Sequence, residues 1–420
     1  MSDSYDVIVI GAGASGLAAA VEAARAGASV LVLEKNHVPG RKILSTGAGK
    51  CNFTNSVITP DRYHPPAAAF LKRTFAALPP QGVLSFFREL GLLWTEDSRG
   101  RLFPRSLKAQ DVVSVLVNEL GFRGGTLRTL TEAVAVAPGD GGFRVESCAV
   151  PPQWERRMTR GARTAFSAAR VVLAAGGACY PQIGGTTAGY SLLRALGHSV
   201  SPLSPAIVPL RSDDPLLKEL DGVRTEAALE LKPRRGRGAK SAGELLFASY
   251  GLSGPAALDL SRAALAALKD GPVSLEADFF PEATSAALAA SLQERARRFP
   301  GRPFRHFACG LLNEKLMKAA AARLRAEWGA PPGPGTPAAL GALLKGFSFN
   351  ITGTRGFDEA MVTAGGCPPA EVDPASFQSR KVPGLYVTGE LLDIDGDSGG
   401  YNLHLAWTSG ILAGRAASCR

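Results

Sequence analysis

Residues 5–34, YDVIVIGAGASGLAAAVEAARAGASVLVLE, constrain the chain more than any other stretch. Residues 5–10 form a continuous apolar run, Leu17, Ala20, Val21 and Ala24 recur at helical spacing, and residues 29–33 are apolar again: strand, helix, strand. Gly11, Gly13 and Gly16 stand at the first junction in the spacing G-x-G-x-x-G. That spacing permits a tight turn, close approach of the backbone to a pyrophosphate, and close packing of helix on strand. The helix start adds free N–H groups and a positive dipole end for phosphates. Glu34 ends the second strand about 20 residues further on, where a carboxylate can accept hydrogen bonds from ribose hydroxyls. A glycine-rich turn alone would carry little weight, but all five elements in register predict a dinucleotide site, open at this point to NAD or FAD.

The 420-residue chain is too long for one ordinary core and predicts two or three domains. No run approaches about 18 uninterrupted apolar residues, and MSDS leads into a strand without a signal-peptide pattern; the expectation is a cytoplasmic protein with no membrane partner. Cys51, Cys148, Cys179, Cys309, Cys367 and Cys419 stand singly and the five histidines are scattered, so neither a disulfide scaffold nor a metal site is expected. A net charge of +10 suits anionic cofactors, anionic substrates or nucleic acid without choosing among them. The most basic short segment, RRGRGAK at residues 234–240, lies between the strand-like residues 227–231 and 244–247 and reads as a solvated hairpin tip. With no aromatics interleaved, it is only weak ground for a nucleic-acid partner.

Residues 35–55 follow as a long glycine-rich loop carrying Lys35, Arg41, Lys42 and Lys50, and loops of that length inside compact domains are usually functional. Cys51 within it invites a redox role, but no second cysteine is near enough in sequence for dithiol chemistry; the alternative is a small buried packing residue. Helical periodicity covers residues 71–90 around Pro79–Pro80, and residues 110–120. Residues 131–136 and 143–147 read as a strand pair across PGDGG, and residues 151–163 as an exposed loop. Residues 170–177, RVVLAAGG, form a buried strand whose small residues let a ligand lie close at the sheet edge. After a helix at 189–196 the helix–strand alternation stops at Gly197. Ser253 is the expected N-cap of a helix led by Pro255; helices are expected at 284–298 and 313–328, the second closed by Gly329. Sheet-like sequence returns at 347–351, 360–363 and 385–388, the last running into Gly389–Glu390. Gly399–Gly400 then opens a final helix over 403–417, a second positive dipole end beside the presumed ligand.

Taken together, VIVIGAGASGLAAA, GRKILSTGAGKCNFTN, VVLAAGGACYPQIGGTTAGYSLLRALGH, GELLFASYGLSGPAALDLS, VTAGGC and VPGLYVTGELLDIDGDSGGYNLHLAWTSGILAG resemble the bacterial FAD flavoproteins that include aminoacetone oxidase and the dehydro-bile-acid reductases. The resemblance implies an α/β fold: a discontinuous Rossmann-like FAD-binding domain (1–197 and 347–420) interrupted by a β-barrel-like and helical domain (198–346). It assigns Gly11, Gly13, Ser15 and Gly16 to the FAD pyrophosphate, with Ala14 beside them, and Glu34 to the adenosine ribose. Lys42, Thr46, Gly47, Gly49 and Asn52, with Lys35 and Arg41 in the same loop, would lie along the cofactor. Ala133 would meet the adenine, and Ala175 and Gly176 would line the cleft. Gly389 and Glu390 would sit by the ribityl and pyrophosphate, and Gly400, Tyr401, Asn402 and Leu403 would border the isoalloxazine. The chain departs from the family pattern at Ala48, where glycine is more usual, at Lys50, where arginine is, and at Cys179, where serine is.

The expected function is an FAD-dependent oxidoreductase, a reductase of a small or medium organic substrate fed by NADH or NADPH. A single G-x-G-x-x-G leaves no second nucleotide domain, so NAD(P)H would visit the flavin transiently. The alternatives are an oxidase of amines or amino ketones and a flavoprotein that binds or modifies RNA. No arrangement of His, Ser or Asp compels a catalytic assignment; Lys50, Cys51 and Tyr401 are the candidates.

Overall fold

The computed structural model describes residues 4–64, 67–152, 154–155 and 159–419. The chain folds into two compact units, one built from residues 1–205 and 361–420, the other from 206–360.

In the first unit, β1 (Ser4–Ile10), α1 (Ala14–Arg25) and β2 (Val30–Leu33) form the expected strand–helix–strand. β3 (Thr126–Arg128) pairs parallel with β2. β4 (Thr131–Gly139) and β5 (Gly142–Ala149) form an antiparallel hairpin, and β6 (Arg163–Leu173) is central. The first half of β6 pairs antiparallel with β5, while its second half runs parallel to β7 (Leu385–Val387). Along its other edge β6 pairs with β1, giving the order β3-β2-β1-β6-β5-β4. β1, β2 and β6 read as apolar runs because Val7, Ile8, Val9, Leu31, Val32, Val171 and Val172 are all buried, as parallel strands covered on both faces require. The long last helix, α2 (Tyr401–Ser418), begins two residues earlier than its periodicity predicts. It lies on α1, where a Cβ on Gly410 or Gly414 would overlap the carbonyls of Ser15 and Ala19. Two helices separate at the Pro79–Pro80 break, Ala68–Ala77 and Pro80–Glu89. In the segment expected to be an exposed loop, Gln153 and residues 156–158 lie outside the described residues, and Arg163 already belongs to β6.

The second unit closes a six-stranded antiparallel barrel in the order Leu210–Ser212, Gly251–Ser253, Lys240–Ala248, Arg224–Pro233, Val273–Asp278, Phe347–Thr354. Its core stacks Phe347 on Phe349 at 5.1 Å, with Phe247 5.7 Å from Phe349. RRGRGAK forms the hairpin tip, with Arg234, Arg235 and Arg237 exposed.

Several expectations change here. Residues 347–351 do not rejoin the nucleotide sheet: Phe347, Phe349 and Ile351 alternate into the barrel, so the unit ends at Ala360 rather than residue 346. At the other boundary the first unit extends to Pro205 rather than Gly197. His198 Nδ1 meets Glu371 Oε2 at 2.7 Å and Nε2 meets Ser379 Oγ at 2.8 Å, which binds residues just past Gly197 to the returning chain. Cys367 joins that cluster, but both ring nitrogens are already engaged, and burial pushes the thiol up to about 12. Gly254 at φ +84, not Ser253, caps the helix led by Pro255. The helix after Asn313 stops at Leu324 because Arg325 turns left-handed at φ +54, before Gly329 is reached.

Candidate cofactor site

The glycine turn is built as its spacing demands. Gly11 has φ +102, its N–H bonds Leu33 O at 2.8 Å, and a Cβ there would overlap Ala174 O. A Cβ on Gly16 would overlap Gly11 O, so helix and strand could not approach with any other residue. Gly13, the N-cap of α1, faces open space, as does Gly176. Those are the places where a pyrophosphate needs bare backbone.

One cleft gathers Gly11, Gly13, Glu34, Lys35, Arg41 and Lys42 with Ala133, Ala175 and Gly176. The Glu34 carboxylate is buried: Oε2 accepts from Ala12 N at 2.7 Å, and Oε1 accepts from Asn36 N and Nδ2, each at 2.7 Å. Three of its roughly four acceptor positions are thus used inside the protein, leaving one toward the cleft. Burial pushes the Lys35 ammonium pKa down, opposed by the charges of Glu132 and Glu34. Asn36, Glu132 and Thr186 also line the cleft and were not anticipated; the run Gly184–Gly185–Thr186 was the available signal, since a Cβ on Gly184 would press on the Asn36 amide at 2.6 Å.

The remaining expected residues lie outside that cleft's lining, and Glu390 is tied to it through Lys42. Lys42 Nζ lies 3.2 Å from Glu390 Oε2 and donates to Gly177 O at 3.2 Å. Glu390 Oε1 accepts from Thr363 N at 2.8 Å, and Tyr190 OH donates to Glu390 O at 2.9 Å. Gly389 has φ +65 and room for nothing larger, since a Cβ would stand 2.6 Å from Ser15 Oγ. The expected long loop is interrupted by a short helix, Arg41–Ser45, after which Gly47, Ala48 and Gly49 all have positive φ. Ala48, the departure from the family pattern, therefore occupies a conformation that disfavours a side chain by about 1–2 kcal/mol. Gly400 has φ +102, and a Cβ there would lie 2.5 Å from Thr54 O and 2.9 Å from Asn52 Oδ1. Asn52 Oδ1 is a buried acceptor with no partner among the described residues.

Two of the three candidates are buried. Cys51 is fully buried at φ +59, and desolvation pushes its thiol up to about 12, the setting of a packing cysteine. Tyr401 is buried edge-on to Tyr63 at 6.2 Å, beneath the Arg62 guanidinium 5.8 Å away. Lys50 is exposed at the end of the loop. The Asn402 side-chain amide ties the first turn of α2 to the loop before it: Oδ1 accepts from Gly396 N and Nδ2 donates to Gly396 O, both at 2.9 Å. Leu403 follows it, half-buried, in the first turn.

His404, one residue further on, is buried with Nδ1 2.7 Å from Thr54 Oγ1. Desolvation lowers its pKa from 6.5 to about 3. Because the folded value lies below the unfolded one, this group's stabilisation is complete above pH 6.5 and is lost as pH falls from there toward 3. The slope should reach about 1.4 kcal/mol per pH unit. Melting temperatures between about pH 7 and pH 5 should therefore fall more steeply for the native chain than for His404→Phe; parallel curves would refute this account.

Open backbone at Gly13 and Gly176, a buried carboxylate at the ribose position, and an unpartnered Asn52 acceptor beside the α2 N-terminus fit an FAD stretched from cleft to helix. Fold and site define an FAD-dependent oxidoreductase. The chain matches the HI0933-like protein Rossmann domain over residues 5–416 and belongs to that family. It is 34% identical to the 3-dehydro-bile acid delta(4,6)-reductase of Clostridium scindens, over 98% of each chain. It is 30% identical to the ribosomal RNA dihydrouridine synthase of Escherichia coli, over 97% of this chain and 96% of that protein. The fold is also that of the 3-ketosteroid delta1-dehydrogenase of Sterolibacterium denitrificans, with TM-score 0.52 at 15% identity, covering 99% of this chain and 100% of that one. Among the described residues no helix is long and apolar enough to cross a membrane.

Proposed function

We propose that the chain reduces a carbon–carbon double bond conjugated to a carbonyl in a small or medium organic substrate, with electrons drawn from NADH or NADPH. The observation that carries this reading is the end-to-end match to two relatives whose names both denote saturation of a ring double bond, in a dehydro-bile acid and in uridine. A single glycine fingerprint supports a nicotinamide that visits rather than resides. FAD, when bound, supplies a hydride and takes up two electrons from the nicotinamide. The chain's own part is to hold and polarise it. Gly13 and α1 present N–H groups to the pyrophosphate, Glu34 accepts from the ribose, and Lys42, paired with Glu390, adds positive charge beside the cleft. The N-terminus of α2 favours the negative charge that reduction leaves on the ring system.

A second reading keeps the chemistry and changes the substrate to a uracil base in RNA. It is favoured by the exposed Arg234, Arg235 and Arg237 and by the 30% identity to the Escherichia coli enzyme. One experiment separates them. The flavin is photoreduced without oxygen and mixed with a 4-ene-3-ketosteroid, a simple cyclic enone, or a uridine-containing ribosomal RNA fragment. Rapid reoxidation by either ketone is the expected result, and reoxidation by RNA alone would select the second reading. A flavin that reacts only with oxygen, giving peroxide with an amine substrate, would overturn both.

A further inference from the structure

Asn36 stands in the wall of the cofactor cleft, just past the end of β2, and holds the Glu34 carboxylate from one side. Its backbone N–H and its side-chain Nδ2 both donate to Glu34 Oε1, each at 2.7 Å. A carboxylate oxygen offers about two acceptor positions, so this one residue fills Oε1. Among the described residues Oε2 accepts from Ala12 N alone, at 2.7 Å. The acceptor position still open on Glu34 therefore belongs to Oε2.

The Asn36 amide is itself held in place. Its carbonyl end faces the Arg41 guanidinium, with Nη1 3.4 Å from Oδ1. Exchanging the two ends of the amide would set its N–H groups against a cation and its carbonyl against a carboxylate, so only one orientation is satisfied. The amide also lies against bare backbone at Gly184, where φ is +112 and a Cβ would stand 2.6 Å from Nδ2 and 3.0 Å from Oδ1. The Asn36 carbonyl accepts from Leu130 N at 3.1 Å. Contacts with residues 34, 41, 130 and 184 thus fix both its backbone and its side chain. This limits what Glu34 can read: a carboxylate with both oxygens open can accept from both hydroxyls of a ribose diol, whereas here one oxygen is closed.

We propose that Asn36 is a positioning residue that makes recognition of the cofactor's adenosine half single-hydroxyl. By filling Oε1 it commits Glu34 Oε2 to one of the two ribose hydroxyls and leaves the other unread by this carboxylate. Asn36 acts only through Glu34, and the inference rests on placing the adenosine ribose of FAD at that residue.

The test titrates the full-length chain, stripped of FAD, with ADP, 2′-deoxy-ADP and 3′-deoxy-ADP in a calorimeter; all three carry the adenosine half of the cofactor. For the native chain one deoxy analogue should bind about tenfold or more weaker than ADP, the scale of a hydrogen bond to a charged acceptor, and the other within about twofold of ADP. Asn36→Ala keeps the backbone donor but frees a position on Oε1, so both hydroxyls become readable and the two analogues should come within about threefold of each other. Asn36→Asp, which keeps the size but sets a second carboxylate against Glu34, should level the analogues in the same way and weaken ADP itself by about tenfold. General damage to the fold would weaken all three ligands in proportion and leave their ratios unchanged. A native preference that survives in Asn36→Ala would overturn the role of Asn36, as would a native chain for which both analogues are weakened alike. A native chain that rebinds FAD yet binds ADP no better than either analogue, or binds no ADP, would overturn the placement of the ribose at Glu34 instead.

Discussion

Glu34→Arg is expected to purify largely without FAD and to melt well below the native chain. The carboxylate accepts three hydrogen bonds, from Ala12 N and from Asn36 N and Nδ2, all at 2.7 Å and buried. Removing it leaves two backbone donors without an acceptor, each worth about 1–3 kcal/mol when buried. The replacement adds a buried cation close to Lys35, whose own pKa burial already depresses. The Ala12–Asn36 link also shapes the turn that receives the pyrophosphate, so cofactor affinity should fall with it. The new positive charge would attract FAD, but loss of the acceptor and of turn geometry should outweigh that attraction. The check is flavin content by absorbance together with a thermal melt; a variant that purifies fully yellow would sink the assignment. Glu34→Gln, which keeps an acceptor for Ala12 N but sets an amide against Asn36 N–H, should fall between the two.

Gly410→Leu should be the most damaging change far from the cofactor. A single Cβ at Gly410 would overlap Ser15 O and come within 3.0 Å of the Ala18 methyl, and Gly414 is in the same relation to Ala19. The α1–α2 interface therefore depends on backbone meeting backbone, and a leucine can fit only by forcing the helices apart. Overpacking costs about 1–3 kcal/mol, and overlap with backbone puts this change at the upper end, about 3 kcal/mol. For a unit of this size that corresponds to roughly 6–12 °C in melting temperature. Because Ser15 lies in the first turn of α1, the displacement should also weaken FAD binding. A melt unchanged from the native chain would contradict the close packing. Gly410→Ala gives the graded control.

Much of the first unit was legible because its signals are local. Hydrophobic period separates β1 from α1, and the glycine spacing specifies a turn that only bare backbone can make. Glu34 falls at the end of the next strand by simple chain length. The strand 347–354 shows the limit of that logic. Alternating Phe347, Phe349 and Ile351 say that a strand is present, but period alone does not say which sheet it joins; the barrel claims it because its partners at 210–212 and 273–278 bury those same side chains. Cys51 and Tyr401 looked chemically suggestive in one dimension, and only the fold showed that both are buried. Ala48 gained its meaning only with its φ of +54, a conformation that glycine adopts more readily than alanine.

The sequence by itself determined the dinucleotide half of the site, because turn, helix start and acidic strand end lie within a few dozen consecutive residues and follow from backbone sterics and periodicity. Only the tertiary structure decided what completes it. Lys42 meets Glu390 across 348 residues of chain, and Gly400 closes over Asn52. Such pairings are set by which buried surfaces fit together once the chain has folded, and no local pattern encodes them.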